Sequence, residues 1–340
     1  MKFSKQIKSF DRRLAPLRRI SPLLNKIYNH ALGVNVDHSF HSTKKKKELK
    51  ENALTALNEL STPFLDELQT SEIPKIIWIY WDTGFMNAPD VVKKSVLSWT
   101  ILNPDYEVRC LTNDNLDTTL GFNFDSVFQL STVHCLPAIK ADLIRLYLLS
   151  KHGGVWADAT TFCLISLSSW LPEAEKCSRI FTFKHKYNAS RPIEVWFIAA
   201  PKNTTVIHNT LNILLTYIFS ERPYTLFISG KLSLLRKTHT GTDVPQDITA
   251  MKKGELLGFM PYFSTGYAFY TALKNENEDK INKYLSNNDL TTPQNQYALT
   301  NDTFDTYKNS LVSKQTYTSS YIRSKHYRDR LHFLSNLIRK

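Results

Sequence analysis

The chain has 340 residues, of which 42% are hydrophobic, 12% are aromatic and only 10 are Gly, and its formal net charge is +12. This composition excludes a wholly disordered or collagen-like chain and allows a full core in one large domain or two ordinary ones. No apolar run approaches the roughly 18 residues of a membrane-spanning helix, so we expect that the chain does not cross a bilayer.

The positive charge is concentrated at the two ends of the chain. Residues 1–50 carry 13 Lys and Arg against three acidic residues, and residues 322–340 carry six against one, which leaves a net charge of −3 between them. A nucleic-acid groove requires basic residues across the folded body, so this distribution argues against nucleic acid as a partner. Two basic ends on a near-neutral body favour contact with an anionic membrane surface.

The first segment, residues 1–70, is predicted to be a basic helical extension. Apolar residues recur there at helical spacing between basic ones, at Phe3, Ile7, Phe10 and Leu14. This pattern is typical of a helix that lies in a lipid interface, and a basic helix packed on its own protein fits it equally well. No uninterrupted apolar segment follows the first charges, so export is not expected and the predicted location is cytoplasmic.

A strand, a helix and a second strand are predicted over residues 76–111. Residues 76–81 form a continuous apolar run, Pro89 and Asp90 supply a helix start, and residues 106–111 alternate in polarity. Two strands joined by a helix form a βαβ unit. We therefore expect a largely parallel sheet with helices on its faces.

Residues 138–151 predict a second helix, which ends at Gly153 and Gly154 in the manner of a left-handed cap. Six of its seven positions over 143–149 are apolar, so we expect it to be buried nearly all round. A strand over residues 155–162 follows directly. A further strand and a further helix are expected over residues 195–200 and 206–219.

Two ionisable residues lie on the apolar helix. Asp142 and Arg145 are three residues apart, so their side chains share one helix face. A buried carboxylate and a buried guanidinium need partners, which either a structural ion pair or a bound ligand provides.

A third ionisable residue, Asp158, follows the Gly pair in the predicted strand, where an acid has no packing role. Ligands of open α/β sheets bind beyond the carboxyl ends of the strands. Residues 81–82 and 158–160 can both lie in that crevice, so we expect Asp158 and Trp81 near one ligand.

Four segments occur in a recognisable order and spacing: residues 73–81, Trp99 with residues 103–106, residues 141–145 and residues 153–160. They resemble the DxD-containing sugar-region glycosyltransferases, and in particular the bacterial capsular polysaccharide synthesis proteins. A more distant similarity links them to the glucosylating domain of large clostridial toxins. The resemblance implies an α/β fold of the GT-A type, with a mostly parallel sheet flanked by helices.

The resemblance also implies a role for each matching residue. Trp81 corresponds to the aromatic residue that stacks on the donor nucleobase, usually uracil, although a core Trp fits the position too. Asp142 and Arg145 correspond to the polar pair that binds the donor sugar hydroxyls and the pyrophosphate. Asp158 corresponds to the first Asp of the DxD motif, so Asp158 and Arg145 are the predicted catalytic residues. Lys314 is predicted to close over the pyrophosphate, with an ordinary surface Lys as the alternative.

The same motif implies Mn²⁺ or Mg²⁺ as a cofactor, with Asp158 and Thr160 as its ligands. Thr160 stands where the family usually has a second Asp, and a neutral hydroxyl is a weaker ligand than a carboxylate. Three consequences are possible. The site binds the metal more weakly, another carboxylate binds the cation, or Arg145 and a lysine supply part of the positive charge that the cation would provide. The capsular proteins commonly share Asp-x-Thr here, which argues against an inactive site.

The sequence therefore predicts a retaining hexosyltransferase that uses a nucleoside-diphosphate sugar, with UDP favoured. Its acceptor is a polysaccharide or a lipid-linked glycan in bacterial capsule or O-antigen synthesis. The catalytic domain is expected over residues 71–321, followed by a basic C-terminal tail over 322–340. The predicted location is peripheral, at the inner face of the bacterial membrane.

A catalytically inactive scaffold protein of a polysaccharide assembly complex is the alternative function, and Thr160 is its only support in the sequence. The sequence makes no prediction of the oligomeric state.

Overall fold

The computed structural model describes residues 21, 23–24, 27, 47–62, 72–176, 179–185, 193–222, 225–229, 248–276 and 293–339. The predicted interface helix near Phe3 and Leu14 lies outside the described residues, as does most of the predicted extension.

Ten strands follow one another along the described chain. They are β1 (Ile76–Tyr80), β2 (Glu107–Leu111), β3 (Gly154–Ala157), β4 (Thr161–Cys163), β5 (Phe181–Lys184), β6 (Ile193–Ala200), β7 (Phe227–Ser229), β8 (Phe259–Pro261), β9 (Tyr297–Ala298) and β10 (Val312–Lys314).

Eleven α-helices are described in addition. They are α1 (Lys47–Ser61), α2 (Asp90–Leu102), α3 (Asn113–Leu120), α4 (Pro137–His152), α5 (Leu171–Glu175), α6 (Thr205–Phe219), α7 (Ile248–Leu256), α8 (Ser264–Glu276), α9 (Phe304–Lys308), α10 (Ser319–Ile322) and α11 (Lys325–Leu337). Among these described helices, none is long and apolar enough to span a membrane.

A five-stranded sheet with the order β2-β1-β3-β6-β5 forms the centre of the molecule. Strand β1 pairs in parallel with both β2 and β3, whereas β6 is antiparallel to β3 and to β5. Four of the five strands therefore run in the same direction. The predicted α/β fold with a mostly parallel sheet is confirmed, and β6 is the strand that departs from it.

The next two strands along the chain, β2 and β3, lie on opposite sides of β1 in the sheet. The chain moves from β1 to β2 on one side and returns through α4 to β3 on the other. The carboxyl ends of β1 and β3 consequently flank a crevice, which is the position where open α/β sheets bind ligands.

Two hydrophobic cores cover the two faces of the sheet. Alternate residues of β1 belong to different cores, as expected for a strand buried on both faces. Trp78 packs with residues of α4, α6 and α8, whereas Ile77 packs with residues of α2 and α11. Both faces of the central sheet are thus covered by helices.

The strand predicted over residues 155–162 is divided in two. Strand β3 ends at Ala157, and residues 158–160 form a turn in which the Thr161 N–H and hydroxyl both donate to the Asp158 carbonyl, at 3.0 and 2.7 Å. Strand β4 then leaves the central sheet and pairs with β10. Asp158 therefore lies at the end of a strand rather than within it, which the apolar pattern of the segment did not reveal.

Residues 322–340, predicted to be a basic tail, include helix α11, which packs on the body through Tyr327, Arg330 and Leu334. The Arg330 side chain is fully buried and donates to the carbonyls of Leu299 and Asp302 at 2.9 and 2.7 Å. One of the basic residues of this segment is therefore a structural residue of the core.

The Gly pair between α4 and β3 is required by close backbone contacts. Gly153 and Gly154 have φ values of +68° and +99°, and the ψ of −162° at Gly153 differs from that of the predicted left-handed cap. A Cβ at Gly154 would lie 2.7 Å from the carbonyl oxygen of Ile76 in β1. The turn thus lets β3 approach β1 closely.

We predict that Gly154→Ala lowers the free energy of unfolding by about 3–5 kcal/mol, because it combines an unfavourable φ with a backbone clash. Gly84→Ala is the matched control: its φ is +83°, and its Cβ would have no neighbour within 4 Å. The control should lose only about 1–2 kcal/mol. Urea unfolding measures both variants, and equal losses would contradict the contact with β1.

Candidate active site

A cavity of about 540 Å³ opens at the carboxyl ends of β1 and β3. Six residues predicted from the sequence line it, although they come from distant parts of the chain: Trp81, Asp142, Arg145, Asp158, Thr160 and Lys314. The structure thus brings the whole predicted set to one place. The individual roles of these residues stay predictions.

Arg145 joins the two carboxylates of the site. It lies on α4 with only 4% of its side chain exposed, and its Nη1 and Nη2 donate to Asp142 Oδ1 and Asp158 Oδ1, both at 2.7 Å. Its guanidinium also lies over the ring of Trp156, 5.1 Å from the centroid. Its Nε is buried and has no partner. A fixed cation therefore lies between two acids.

Asp158 has donors on both of its carboxylate oxygens. Oδ1 accepts from Arg145 and, at 2.9 Å, from the indole N–H of Trp156, whereas Oδ2 accepts from Lys314 Nζ at 2.6 Å. Burial alone would raise the pKa of Asp158, but the charges of Lys314 and Arg145 outweigh it and lower the pKa below its ordinary value. The carboxylate is therefore kept ionised.

Asp142 has the opposite environment. Burial raises its pKa above the ordinary value, and the charge of Arg145 and the hydroxyl of Thr265 offset this only in part. The Thr265 hydroxyl donates to Oδ2 at 2.7 Å and holds the carboxylate toward Arg145. The two acids on either side of Arg145 thus differ in their tendency to ionise.

The position of Lys314 is fixed by the pairing of its strand with β4. It is the last residue of β10 and stands opposite Thr161 in the antiparallel pair with β4. The next residue, Gln315, donates its N–H to the carbonyl of Thr160 at 2.7 Å. The backbone that follows Asp158 is therefore bonded to the strand that carries Lys314.

Trp81 follows β1 at the mouth of the cavity. Its ring meets Tyr317 edge-on, with centroids 5.4 Å apart and an interplanar angle of 87°. Its indole N–H is buried and has no hydrogen-bond partner. Buried donors normally have a partner, so this N–H is available to an acceptor of a bound ligand.

The donor set at this site fits a tightly held divalent cation poorly. Both oxygens of Asp158 accept from cationic or indole donors, and Thr160 offers a neutral hydroxyl. Within the described ranges, no group of three or more His, Cys, Asp or Glu side chains is placed to hold a metal ion. The chemistry of this donor set therefore does not match that of a carboxylate metal site.

Sequence reasoning missed three residues that support the predicted ones: Trp156, Thr265 and Tyr317. Trp156 was part of the recognised segment, and its position two residues before Asp158 could have indicated a shared strand face. Thr265 comes more than a hundred residues after its partner Asp142, and Tyr317 is in a polar stretch. No local pattern in the sequence indicates either contact.

Comparison with known proteins finds one matching family. The family model described as "Capsular polysaccharide synthesis protein" matches residues 27–228, which include every predicted site residue except Lys314. The match thus extends well beyond the recognised segments.

Several proteins named as glycosyltransferases are similar to this chain. The O-glycosyltransferase braB of Annulohypoxylon truncatum is 33% identical over 98 residues, which cover 26% of this chain and 23% of that protein. The initiation-specific alpha-1,6-mannosyltransferase of Saccharomyces cerevisiae is 26% identical over 148 residues, which cover 42% and 30%. The matched stretches span less than half the length of these relatives.

Among solved structures, the PaToxG glycosyltransferase matches 89% of this chain and 98% of its own, with 13% sequence identity. The TM-score is 0.34. This value is too low for the match to support any further argument.

We predict that Arg145→Met lowers the free energy of unfolding by about 3–5 kcal/mol, because it leaves the buried Asp142 without its counter-charge. Adding Asp142→Asn removes that charge and should recover at least about 1 kcal/mol. Urea unfolding of the wild type and both variants measures the difference. A double variant no more stable than Arg145→Met would show that Asp142 does not depend on Arg145.

Proposed function

Because this chain belongs to the family of capsular polysaccharide synthesis proteins, we propose that it transfers a hexose from a nucleoside-diphosphate sugar to a glycan. The membership confirms the resemblance recognised in the sequence. The relatives named above support the class of enzyme, since they carry the name glycosyltransferase. The observation that carries the proposal is the cavity itself, in which Arg145 and Lys314 meet Asp158 below Trp81.

We propose UDP as the nucleotide of the donor. The ring of Trp81 provides a face on which a nucleobase stacks, and its unpartnered N–H provides a donor for a base or ribose oxygen. Tyr317 supports the ring from its edge. The diphosphate would then lie toward Lys314 and Arg145, where the positive charges are.

The proposed reaction exchanges one bond of the anomeric carbon for another. The bond from this carbon to the diphosphate oxygen breaks, and its electron pair leaves with the diphosphate. The acceptor hydroxyl oxygen forms the new bond and gives its proton to the leaving diphosphate. Arg145 and Lys314 stabilise the charge of the departing group, and Asp158 holds both cations in position.

We further propose that the configuration at the anomeric carbon is retained and that the acceptor is a polysaccharide or a lipid-linked glycan of bacterial capsule or O-antigen synthesis. Both proposals rest on the family. The sequence-based prediction of Mn²⁺ or Mg²⁺ and the domain boundaries at residues 71 and 321 stay predictions.

The alternative function is a scaffold that binds a donor without turning it over. Thr160 in place of an acid is the observation that favours it. A scaffold would bind the nucleotide sugar in calorimetry but release no nucleoside diphosphate with any acceptor, so the two functions are separable in one preparation.

We propose that the protein meets the cytoplasmic face of a membrane through basic surfaces, one of which is on α11. Lys325, Arg328, His332 and Asn336 recur at intervals of three or four residues, and all four are exposed. This spacing places them on one face of the helix, opposite the buried Leu334 and Tyr327. Anionic lipids attract the two charged residues of this face, Lys325 and Arg328.

We predict that Asp158→Asn lowers the rate of nucleoside diphosphate release by about 100-fold or more, because the cations of the site lose their counter-charge and their position. The assay uses the donor that most raises the melting temperature of the wild type in a screen of nucleotide sugars. Asp305→Asn is the control, since Asp305 pairs with Lys308 on the surface helix α9. Full activity in Asp158→Asn would contradict the proposed site.

We predict that Lys325→Gln with Arg328→Gln weakens binding to anionic vesicles by roughly 30-fold, because each basic residue near the surface contributes about 1 kcal/mol. Lys252→Gln with Lys274→Gln is the matched control. It removes two exposed charges from α7 and α8, which cover the opposite face of the sheet. Equal effects of the two pairs in vesicle sedimentation would rule out α11 as the membrane-facing helix.

A further inference from the structure

We infer that Arg145 and Lys314 take the place of a divalent cation, so that this chain binds a nucleoside diphosphate without metal. The inference rests on the proposed function and specifies the source of positive charge in the same site. A diphosphate carries at least two negative charges, and its binding requires a counter-charge of similar size. A guanidinium and an ammonium together supply two positive charges.

The first support is the state of Asp158. A metal ligand needs a free oxygen lone pair directed at the ion, but Oδ1 accepts from Arg145 and Trp156, and Oδ2 accepts from Lys314. All three bonds are between 2.6 and 2.9 Å long. Two of them are charge-assisted, and a cation that used the lone pair left on Oδ2 would lie next to the Lys314 ammonium and be repelled by it. The carboxylate is therefore organised to position two cationic side chains.

The second support is the neighbouring position in the turn. Thr160 is neutral, and its side chain adds no negative charge that would attract a divalent ion. Mg²⁺ and ions like it are usually held by one or two carboxylates together with substrate phosphates. Here the one acid of the turn is already neutralised by two partners. Because the Asp158 carboxylate is already paired with two cationic side chains, it attracts a further cation only weakly.

The third support is the placement of the two cations. Among the described residues that line the cavity, Arg145 and Lys314 are the only Lys or Arg. Arg145 has its Nε buried without a partner, and the side chain of Lys314 lines the cavity and is 24% exposed. Lys314 is also held by the pairing of β10 with β4. Both groups thus retain donors for phosphate oxygens while staying bonded to Asp158.

The test is a calorimetric titration of the full chain with UDP and with GDP, in excess EDTA and in excess Mn²⁺. We expect at least one nucleotide to bind in EDTA, with a dissociation constant within about threefold of the value in Mn²⁺. Binding that requires Mn²⁺ would overturn the inference and leave the proposed function standing. The absence of binding in both conditions would contradict the inference and the proposed donor class together.

Variants separate the charge of Lys314 from other effects. In EDTA, Lys314→Ala should weaken nucleotide binding by roughly 10- to 100-fold, because one charge-assisted bond is lost. Lys308→Ala removes an exposed lysine that is paired with Asp305 and should leave binding unchanged. Lys314→Arg keeps the charge and should bind nucleotide nearly as well as the wild type does. It therefore tests the role of the charge even if the Ala variant folds poorly. Unchanged binding by a folded Lys314→Ala variant would overturn the inference.

A double variant tests directly whether a metal ion can replace the Lys314 ammonium. Lys314→Ala with Thr160→Asp removes the ammonium and provides the missing acid, so we expect nucleotide binding to recover in Mn²⁺ but not in EDTA. Recovery to the same degree in both conditions would show that the ammonium does not replace a metal ion.

Discussion

The arrangement of the site depends on the hydrogen bonds and ion pairs that the Asp158 carboxylate accepts. This carboxylate accepts from Arg145 on α4, from Trp156 on β3 and from Lys314 on β10. The neighbouring elements α4 and β3 are thereby joined to β10, which lies about 150 residues further along the chain. Such a network is stable only when each charge has its partner, because an unpaired charge of low exposure is strongly destabilising. The cavity is therefore shaped by charge neutralisation as much as by the hydrophobic cores.

Asp142 and Asp158 flank Arg145 and are chemically alike, but their surroundings give them different properties. The pKa of Asp142 is raised by burial, whereas the pKa of Asp158 is lowered by two cations that outweigh the same effect. Pairs of titratable groups with opposite shifts occur where a site assigns different tasks to each. Asp142 holds the Arg145 guanidinium from within α4. Asp158 holds both that guanidinium and the Lys314 ammonium at the cavity.

Much of the fold was predictable from the sequence, because its main elements have strong local patterns. The apolar run of β1, the Pro89 start of α2 and helix α4, with its largely apolar residues 143–149, all lie where the sequence predicts them. The end of β3 was not predictable, because residues 158–162 have the composition of a strand and turn only through hydrogen bonds of Thr161. The family resemblance identified Lys314 as a candidate, but its bond to Asp158 depends on the pairing of β10 with β4, which joins residues about 150 positions apart.

The position of β10 near the end of the described chain has a consequence for biosynthesis. Proteins emerge from the ribosome with their N-terminal part first. The strands of the central sheet precede residue 201, so they are translated well before Lys314. During that interval Asp158 has Arg145 and Trp156 as partners but lacks its ammonium. The charge balance of the cavity is completed only after Lys314 has been translated, so this pocket matures later than the sheet that supports it.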